Sequence, residues 1–201
     1  MTKNIVLATG NAGKVREIQA VLADYDIEVL PQSQFDIPEA IEDGLTFVEN
    51  ALIKARHASK LTGLPAIADD SGIEVDFLNG QPGIYSSRYA GENGDNVANN
   101  TKLLGALKDV AKEHRTARFQ CVIVYLRHEL DPTPIICQGT WEGHITESAS
   151  GTQGFGYDPL FFIAAQNCTA AELESETKNQ ISHRGQALKE FVKAFSSQNN
   201  L

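Results

Sequence analysis

Apolar positions along this chain switch between two periods, and each switch marks an element. Asn4-Ile-Val-Leu-Ala-Thr9 is short, apolar and β-branched, which predicts a buried strand. After Gly10-Asn-Ala-Gly-Lys14, the residues Val15, Ile18, Val21 and Leu22 recur on one helical face. Arg16 and Glu17 fall off that face, and the helix is expected to end near Asp24. Ile27 to Leu30 reads as a second strand. Strand, loop, helix, strand is the order of a βαβ unit and predicts an α/β fold.

Thr46 and Glu49 form a T-x-x-E capping box ahead of a helix with Phe47, Ala51, Ala55, Ala58 and Leu61 on one face. Gly63 supplies its stop. Pro65 to Ala68, the tight turn Asp69-Asp70-Ser71-Gly72, and Ile73 to Leu78 read as strand, turn, strand. A third helix is expected from about Asp95 to Val110, with Val97, Leu103, Leu104 and Leu107 inward. Arg118 to Arg127 and Ile135 to Thr146 read as an antiparallel hairpin turned at Asp131-Pro-Thr-Pro134. Leu160 to Ile163 is a further strand. A capping box at Thr169 and Glu172 opens a helical stretch. A last helix starts at Ser182-His-Arg-Gly, buries Leu188, Phe191, Val192 and Phe195, and is expected to fray after Ser196. The sum is one α/β domain over residues 1–201, a mixed twisted sheet flanked by helices, with two lobes around a substrate cleft.

Composition narrows the function. With 17 Lys and Arg against 26 Asp and Glu, the net charge is −9, which argues against nucleic acid or an anionic membrane surface as partner. No apolar run is long enough for a membrane span, and Met1 to Leu7 lacks the apolar region of a secretory leader. Three widely spaced cysteines, Cys121, Cys137 and Cys168, fit free thiols in a reducing cytoplasm rather than a disulfide framework or zinc set.

Several segments carry candidate chemistry. Gly10 to Lys14 lies between a strand and a helix, where exposed N–H groups, the helix N-terminus and a lysine suit phosphate. It lacks the spacing of a Walker A loop. Asp69 and Asp70 follow an apolar strand, and adjacent strand residues face opposite ways, so one of them faces the cleft. A carboxylate there suits Mg²⁺ or the activation of water, with turn capping as the plainer alternative. Glu42, in an acidic loop, is a weaker metal candidate. Gly154-Phe-Gly-Tyr-Asp158 brackets two aromatics, of which Phe155 or Tyr157 is suited to stack on a planar base. Lys178, His183 and Arg184 gather near the last helix start. No H-E-x-x-H or G-x-S-x-G pattern occurs.

In order, Ala8-Thr-Gly-Asn-Ala-Gly-Lys14, Ala68-Asp-Asp-Ser-Gly72, Pro82-Gly-Ile-Tyr-Ser-Ser-Arg88, Gly154-Phe-Gly-Tyr-Asp-Pro159 and Ser182-His-Arg-Gly185 resemble the inosine triphosphate pyrophosphatase family. The likeness spans nearly the whole chain and is strongest to the bacterial branch acting on dITP and XTP. It implies a cytoplasmic homodimer. It also implies Mg²⁺-dependent hydrolysis of ITP, dITP and XTP to monophosphate and pyrophosphate, which clears deaminated purines from the nucleotide pool. Carried over, Thr9, Gly10, Asn11, Ala12, Gly13 and Lys14 bind phosphates. Asp70 is general base and metal ligand with Glu42, and Ser71 contacts substrate. Phe155, Gly156, Tyr157, Asp158, Lys178, His183 and Arg184 hold the base and its phosphates. Trp141 and its hairpin are the expected dimer surface. A non-catalytic purine-nucleotide sensor, or a pyrophosphatase for another modified nucleotide, stays open as an alternative.

Overall fold

A computed structural model describes residues 4–23, 25, 27–91 and 94–199. The expected helix end near Asp24, the start of the leader reading at Met1–Lys3 and the last two residues lie outside these. Twelve labelled elements follow in chain order: β1 (Ile5–Leu7), α1 (Ala12–Ala23), β2 (Val29–Pro31), α2 (Phe47–Thr62), β3 (Ala66–Val75), α3 (Asn96–Ala106), β4 (Thr116–Leu126), β5 (Ile135–Ile145), β6 (Phe161–Ile163), β7 (Cys168–Thr169), α4 (Ser175–Ile181) and α5 (His183–Asn199). The strands form one seven-stranded sheet in the order β2-β1-β3-β4-β5-β6-β7. β1 runs parallel to β2, with Ile5 opposite Val29, and to β3, with Val6 opposite Ala66. β5, β6 and β7 pair antiparallel. The sheet is therefore mixed, as an α/β chain ending in a meander requires.

The chain divides into two compact units. The first takes the segments up to Asp70, Cys121–Gly139 and from Arg184 onward; the second takes Ser71–Gln120 and Thr140–His183. Within the first, strand alternation sorts side chains cleanly to two faces. Ile5, Leu7, Ile67, Cys121, Ile123 and Tyr125 pack with Ile18 and Leu22 of α1 and Leu188 and Phe191 of α5. Val6, Ala8, Ala66, Ala68, Val122 and Val124 pack with Ala51, Ala55 and Ala58 of α2. Alanines on both surfaces let α2 lie close to the sheet. Within the second unit, Ile73, Val75, Leu103, Leu107, Phe119, Trp141, Tyr157 and Phe161 share one core.

Local signals decide most boundaries. Asn11 caps α1 with its side chain, accepting from the N–H groups of Gly13 (2.9 Å) and Lys14 (3.1 Å). Thr46 accepts from the Glu49 N–H, and Gly63 closes α2 in the left-handed region at φ 70°.

Six expectations change. Asp69 to Gly72 is not a turn: β3 runs unbroken over ten residues. Both aspartates find cations, and the Ile73 N–H donates to Ser86 Oγ at 2.9 Å, so tertiary pairing outweighs local turn preference. Val97 is exposed because α3 turns Asn99, Leu103 and Leu107 inward, and position 97 lies across the helix from 99. Leu61 is exposed, about one helical step of ~100° off the alanine stripe. The box at Thr169 and Glu172 closes both ways but opens a single 3-10 turn, Ala170–Glu172, before α4. α5 remains helical through Asn199, past the point where fraying was expected. Trp141, expected at a dimer surface, is 6% exposed and packs on Phe161 in the second unit's core.

Candidate active site

The alternation that sorts the first unit's core also separates its two carboxylates. Asp69 shares the parity of Ile67 and so faces α1 and α5. There Lys14 Nζ of α1 lies 3.1 Å from Asp69 Oδ2, and Arg184 Nη2 of α5 lies 3.3 Å from it. Arg184 also pairs with Glu17. Burial alone would raise the Asp69 carboxyl, but Lys14, Arg184 and Lys54 together hold it well below the usual carboxylate range. Asp69 is thus a fixed anion that orders one lysine and one arginine.

Asp70 shares the parity of Ala68 and faces α2. Lys54 Nζ of α2 donates to Asp70 Oδ1 at 2.8 Å and to Glu42 Oε2 at 3.1 Å. Asp70 Oδ2 is buried with no hydrogen-bond partner among the described residues. Burial pushes the Asp70 carboxyl up; Lys54 and Lys14 pull it back, and burial prevails. Burial works against the Lys54 charge as well, but Asp70, Asp69 and Glu42 together raise its pKa above the ordinary value. Asp70 is consequently the more basic of the two neighbouring aspartates, and it has an oxygen to offer.

That unpartnered oxygen allows a test for a divalent metal. Among the described residues no group of three or more His, Cys, Asp or Glu side chains gathers as an all-protein metal cage. Mg²⁺ does not need one, because it binds through one or two carboxylates and completes its shell with water and phosphate. Asp70 Oδ2, with Glu42 held by the same lysine, fits that mode. Charge balance points the same way. Lys14, Lys54 and Arg184 are matched by Glu17, Glu42, Asp69 and Asp70, so the group holds no surplus positive charge for a polyanion.

The second unit carries the other candidates. Asp158 Oδ2 accepts from the Phe155 N–H at 2.8 Å and from Lys178 Nζ at 2.7 Å, and Lys178 lies over the Phe155 ring at 5.0 Å. This closed loop needs a glycine at 154, where φ is 75° and a β-carbon would meet Asp158 Oδ2 at 2.1 Å. The Phe155 ring is half-buried. Tyr157 is 4% exposed, and its hydroxyl donates to the Ser86 carbonyl at 2.7 Å. Its ring belongs to the core, which corrects the expectation that it stacks on a base. His183 lies flat against Phe119, centroids 4.7 Å apart and planes 12° apart.

The chain matches the Ham1 family over residues 5–194. It belongs to the Ham1 family. A dITP/XTP pyrophosphatase of Vibrio parahaemolyticus is 60% identical over 196 residues, 98% of each chain. Another, from Escherichia coli O157:H7, is 57% identical over 192 residues, 96% of this chain and 98% of its own. The solved HAM1 protein of Coxiella burnetii is 49% identical, with a TM-score of 0.89 over 97% of this chain and 99% of that one. The solved Ham1 protein of Staphylococcus aureus is 39% identical, with a TM-score of 0.85 over 98% of this chain and all of its own.

The structure of this Ham1 chain brings Lys14, Asp69 and Arg184 together, and separately Glu42 and Asp70. It joins Phe155, Asp158 and Lys178 in one loop network. Thr9 accepts from the Asn11 N–H at 3.2 Å and stiffens the approach to α1. Gly13 and Lys14 prove to be first-turn helix residues rather than loop. Ser71 follows Asp70 within β3. Sequence reading missed two residues. Lys54 lies three residues after Ala51 and four before Ala58, on the buried alanine stripe, and a lysine on such a stripe was the available signal. Glu17 lies one turn after Lys14 on α1, and nothing in its neighbours announced the distant Arg184.

Proposed function

We propose that the chain hydrolyses non-standard purine nucleoside triphosphates, namely ITP, dITP and XTP, to the monophosphate and pyrophosphate. The observation that carries this reading is Asp70: a buried carboxylate, raised in pKa, anchored through one oxygen by Lys54 and open at the other. Relatives sharing more than half of the sequence over nearly its full length bear the name dITP/XTP pyrophosphatase, which supports the same reaction here.

Each residue then has a task. The α1 N-terminus with Thr9, Gly10, Asn11, Ala12, Gly13 and Lys14 takes phosphate oxygens through N–H groups and one ammonium. Asp70 Oδ2 accepts a proton from a water whose oxygen attacks the α-phosphorus. The bond from that phosphorus to the bridging oxygen breaks, and pyrophosphate leaves. Lys54 holds Asp70 in line. Asp69 keeps Lys14 and Arg184 in position. Asp70 and Glu42 would hold Mg²⁺, which when bound supplies the positive charge that the balanced ion pairs lack. Ser71 contacts substrate. Phe155 stacks on the purine within a loop fixed by Asp158 and Lys178, with Gly156 and Tyr157 as its frame, and His183 helps to hold the base and its phosphates. A 6-keto purine offers an acceptor to N–H donors that the 6-amino group of adenine leaves unpaired, a mismatch able to discriminate by about 10⁴-fold. The proposal includes a homodimer working in the cytoplasm, where removal of deaminated purines protects the nucleotide pool.

The test is pyrophosphate release from ITP, XTP, GTP and ATP, each with and without Mg²⁺. Fast, metal-dependent release from ITP and XTP with little from ATP or GTP is expected; release from none of them defeats the proposal. Asp70→Asn is expected to lower kcat by about 10²–10⁴-fold while nucleotide binding persists. Unchanged turnover in that variant would remove Asp70 as the base. A chain that binds purine nucleotides without turnover in any form would be a sensor instead.

A further inference from the structure

Asn100 stands on the inward stripe of α3, three residues before Leu103 and four before Leu104. An apolar side chain is the usual occupant of such a position. Its amide nitrogen donates to the Gly156 carbonyl at 3.0 Å. Its Oδ1 is buried and has no hydrogen-bond partner among the described residues. The nitrogen and oxygen cannot be exchanged, because a carbonyl oxygen only accepts. A half-buried asparagine thus makes one bond and leaves a buried acceptor unmet, an arrangement that local stability alone would replace with leucine.

The partner of that one bond explains its retention. Gly156 sits between Phe155 and Tyr157 at φ 63°, in the left-handed region. The other fixings of this loop come from different elements: Asp158 and Lys178 hold the Phe155 side, and Ser86 holds the Tyr157 hydroxyl. Asp158 also donates its backbone N–H to the Phe155 carbonyl at 3.3 Å, but none of these fixings reaches the Gly156 carbonyl. Only Asn100, among the hydrogen bonds of the described residues, grips the Gly156 carbonyl.

We propose that Asn100 is a positioning residue for base recognition, which acts through the Gly156 carbonyl to hold the Phe155 peptide and ring in their binding orientation. The inference rests on the reading of this loop as the purine platform. A residue of this kind affects capture of the base and not the chemistry at phosphorus. Its removal should therefore appear in KM, and in the ratio of ITP to ATP efficiency, with kcat preserved.

Asn100→Leu separates this role from ordinary packing, because it fills the space, improves helix propensity and removes the unmet acceptor. Its Tm is expected to stay level or rise. KM for ITP is expected to rise roughly fivefold, the value of one hydrogen bond, with kcat within about twofold of the parent. Amide exchange at Phe155–Asp158 is expected to quicken. Asn100→Ala should give the same kinetic signature with a lower Tm. An unchanged KM in both variants overturns the proposal whatever the exchange does, as does a loss of kcat at constant KM. If the parent chain turns over no nucleotide, calorimetric titration with ITP decides. Binding by the parent that weakens about fivefold in Asn100→Leu upholds the role without catalysis. Equal binding by the two overturns it, and no binding by the parent defeats the platform reading and the proposal together.

Discussion

Lys54 shows how much one side chain can organise. It reaches Asp70 at 2.8 Å and Glu42 at 3.1 Å, so a helix residue fixes a strand carboxylate and a loop carboxylate at once. Without it, two acids would face each other with no ammonium between them, and Asp70 would be free to rotate. Misplacing a base by about 1 Å costs on the order of 10² in rate. Lys54→Gln is therefore expected to lower kcat about 100-fold with a much smaller change in KM, measured by steady-state pyrophosphate release; a pure KM effect would make Lys54 a phosphate ligand only. At this scale the sequence was partly legible. Asp70, Glu42 and Lys14 stood in motifs, because phosphate and metal chemistry restricts which residue types serve. Lys54 and Glu17 stood in no motif, because their roles depend on partners brought together only by the fold.

Among the elements, legibility followed the strength of periodic signals. β4 and β5 were read almost to the residue, because long apolar runs joined by Asp131-Pro-Thr-Pro134 leave little choice. β3 was misread because Asp-Asp-Ser-Gly carries a turn's composition, while what holds it extended is a set of cations distant in sequence. α3 was placed correctly and Leu103, Leu104 and Leu107 do turn inward, but Val97 was wrongly given to the core. The structure makes the difference measurable. Leu103→Ala should cost roughly 2–5 kcal/mol and Val97→Ala within about 0.5, both by urea denaturation. Comparable losses at the two positions would mean that Val97 is packed as the sequence suggested.

The stability of the whole molecule also reports on charges outside the candidate site. Asp131, almost fully buried, accepts from the Arg127 backbone N–H at 3.0 Å, its Nε at 2.8 Å and the Thr133 N–H at 3.0 Å. The Arg127 side chain first, and these backbone donors with it, hold the Asp131 carboxyl well below the ordinary range. A folded-state pKa below the unfolded value of about 3.9 means stability that is complete at neutral pH and lost as pH falls past about 4. Asp131→Asn should therefore lower the urea midpoint at pH 7 and flatten its decline between pH 5 and 3; a parallel profile would locate the acid sensitivity elsewhere. Cys121 has no part in such titrations near neutrality, because burial pushes its thiol up to about 12. No helix of the described residues is long and apolar enough to cross a membrane.

The unbroken β3 also bears on inheritance. Its odd-numbered track carries Ile67 and Asp69, and its even-numbered track carries Ala66, Ala68 and Asp70, each serving a different side of the sheet. Losing one codon from the stretch Ala66–Ala68 preserves the reading frame and every downstream amino acid. It nonetheless interchanges the tracks, turning the Lys14 anchor toward α2 and the Lys54-held base toward α1. Losing two codons restores the alternation. In a library of small in-frame deletions, single-codon losses here should be the less tolerated class, although they remove less of the gene.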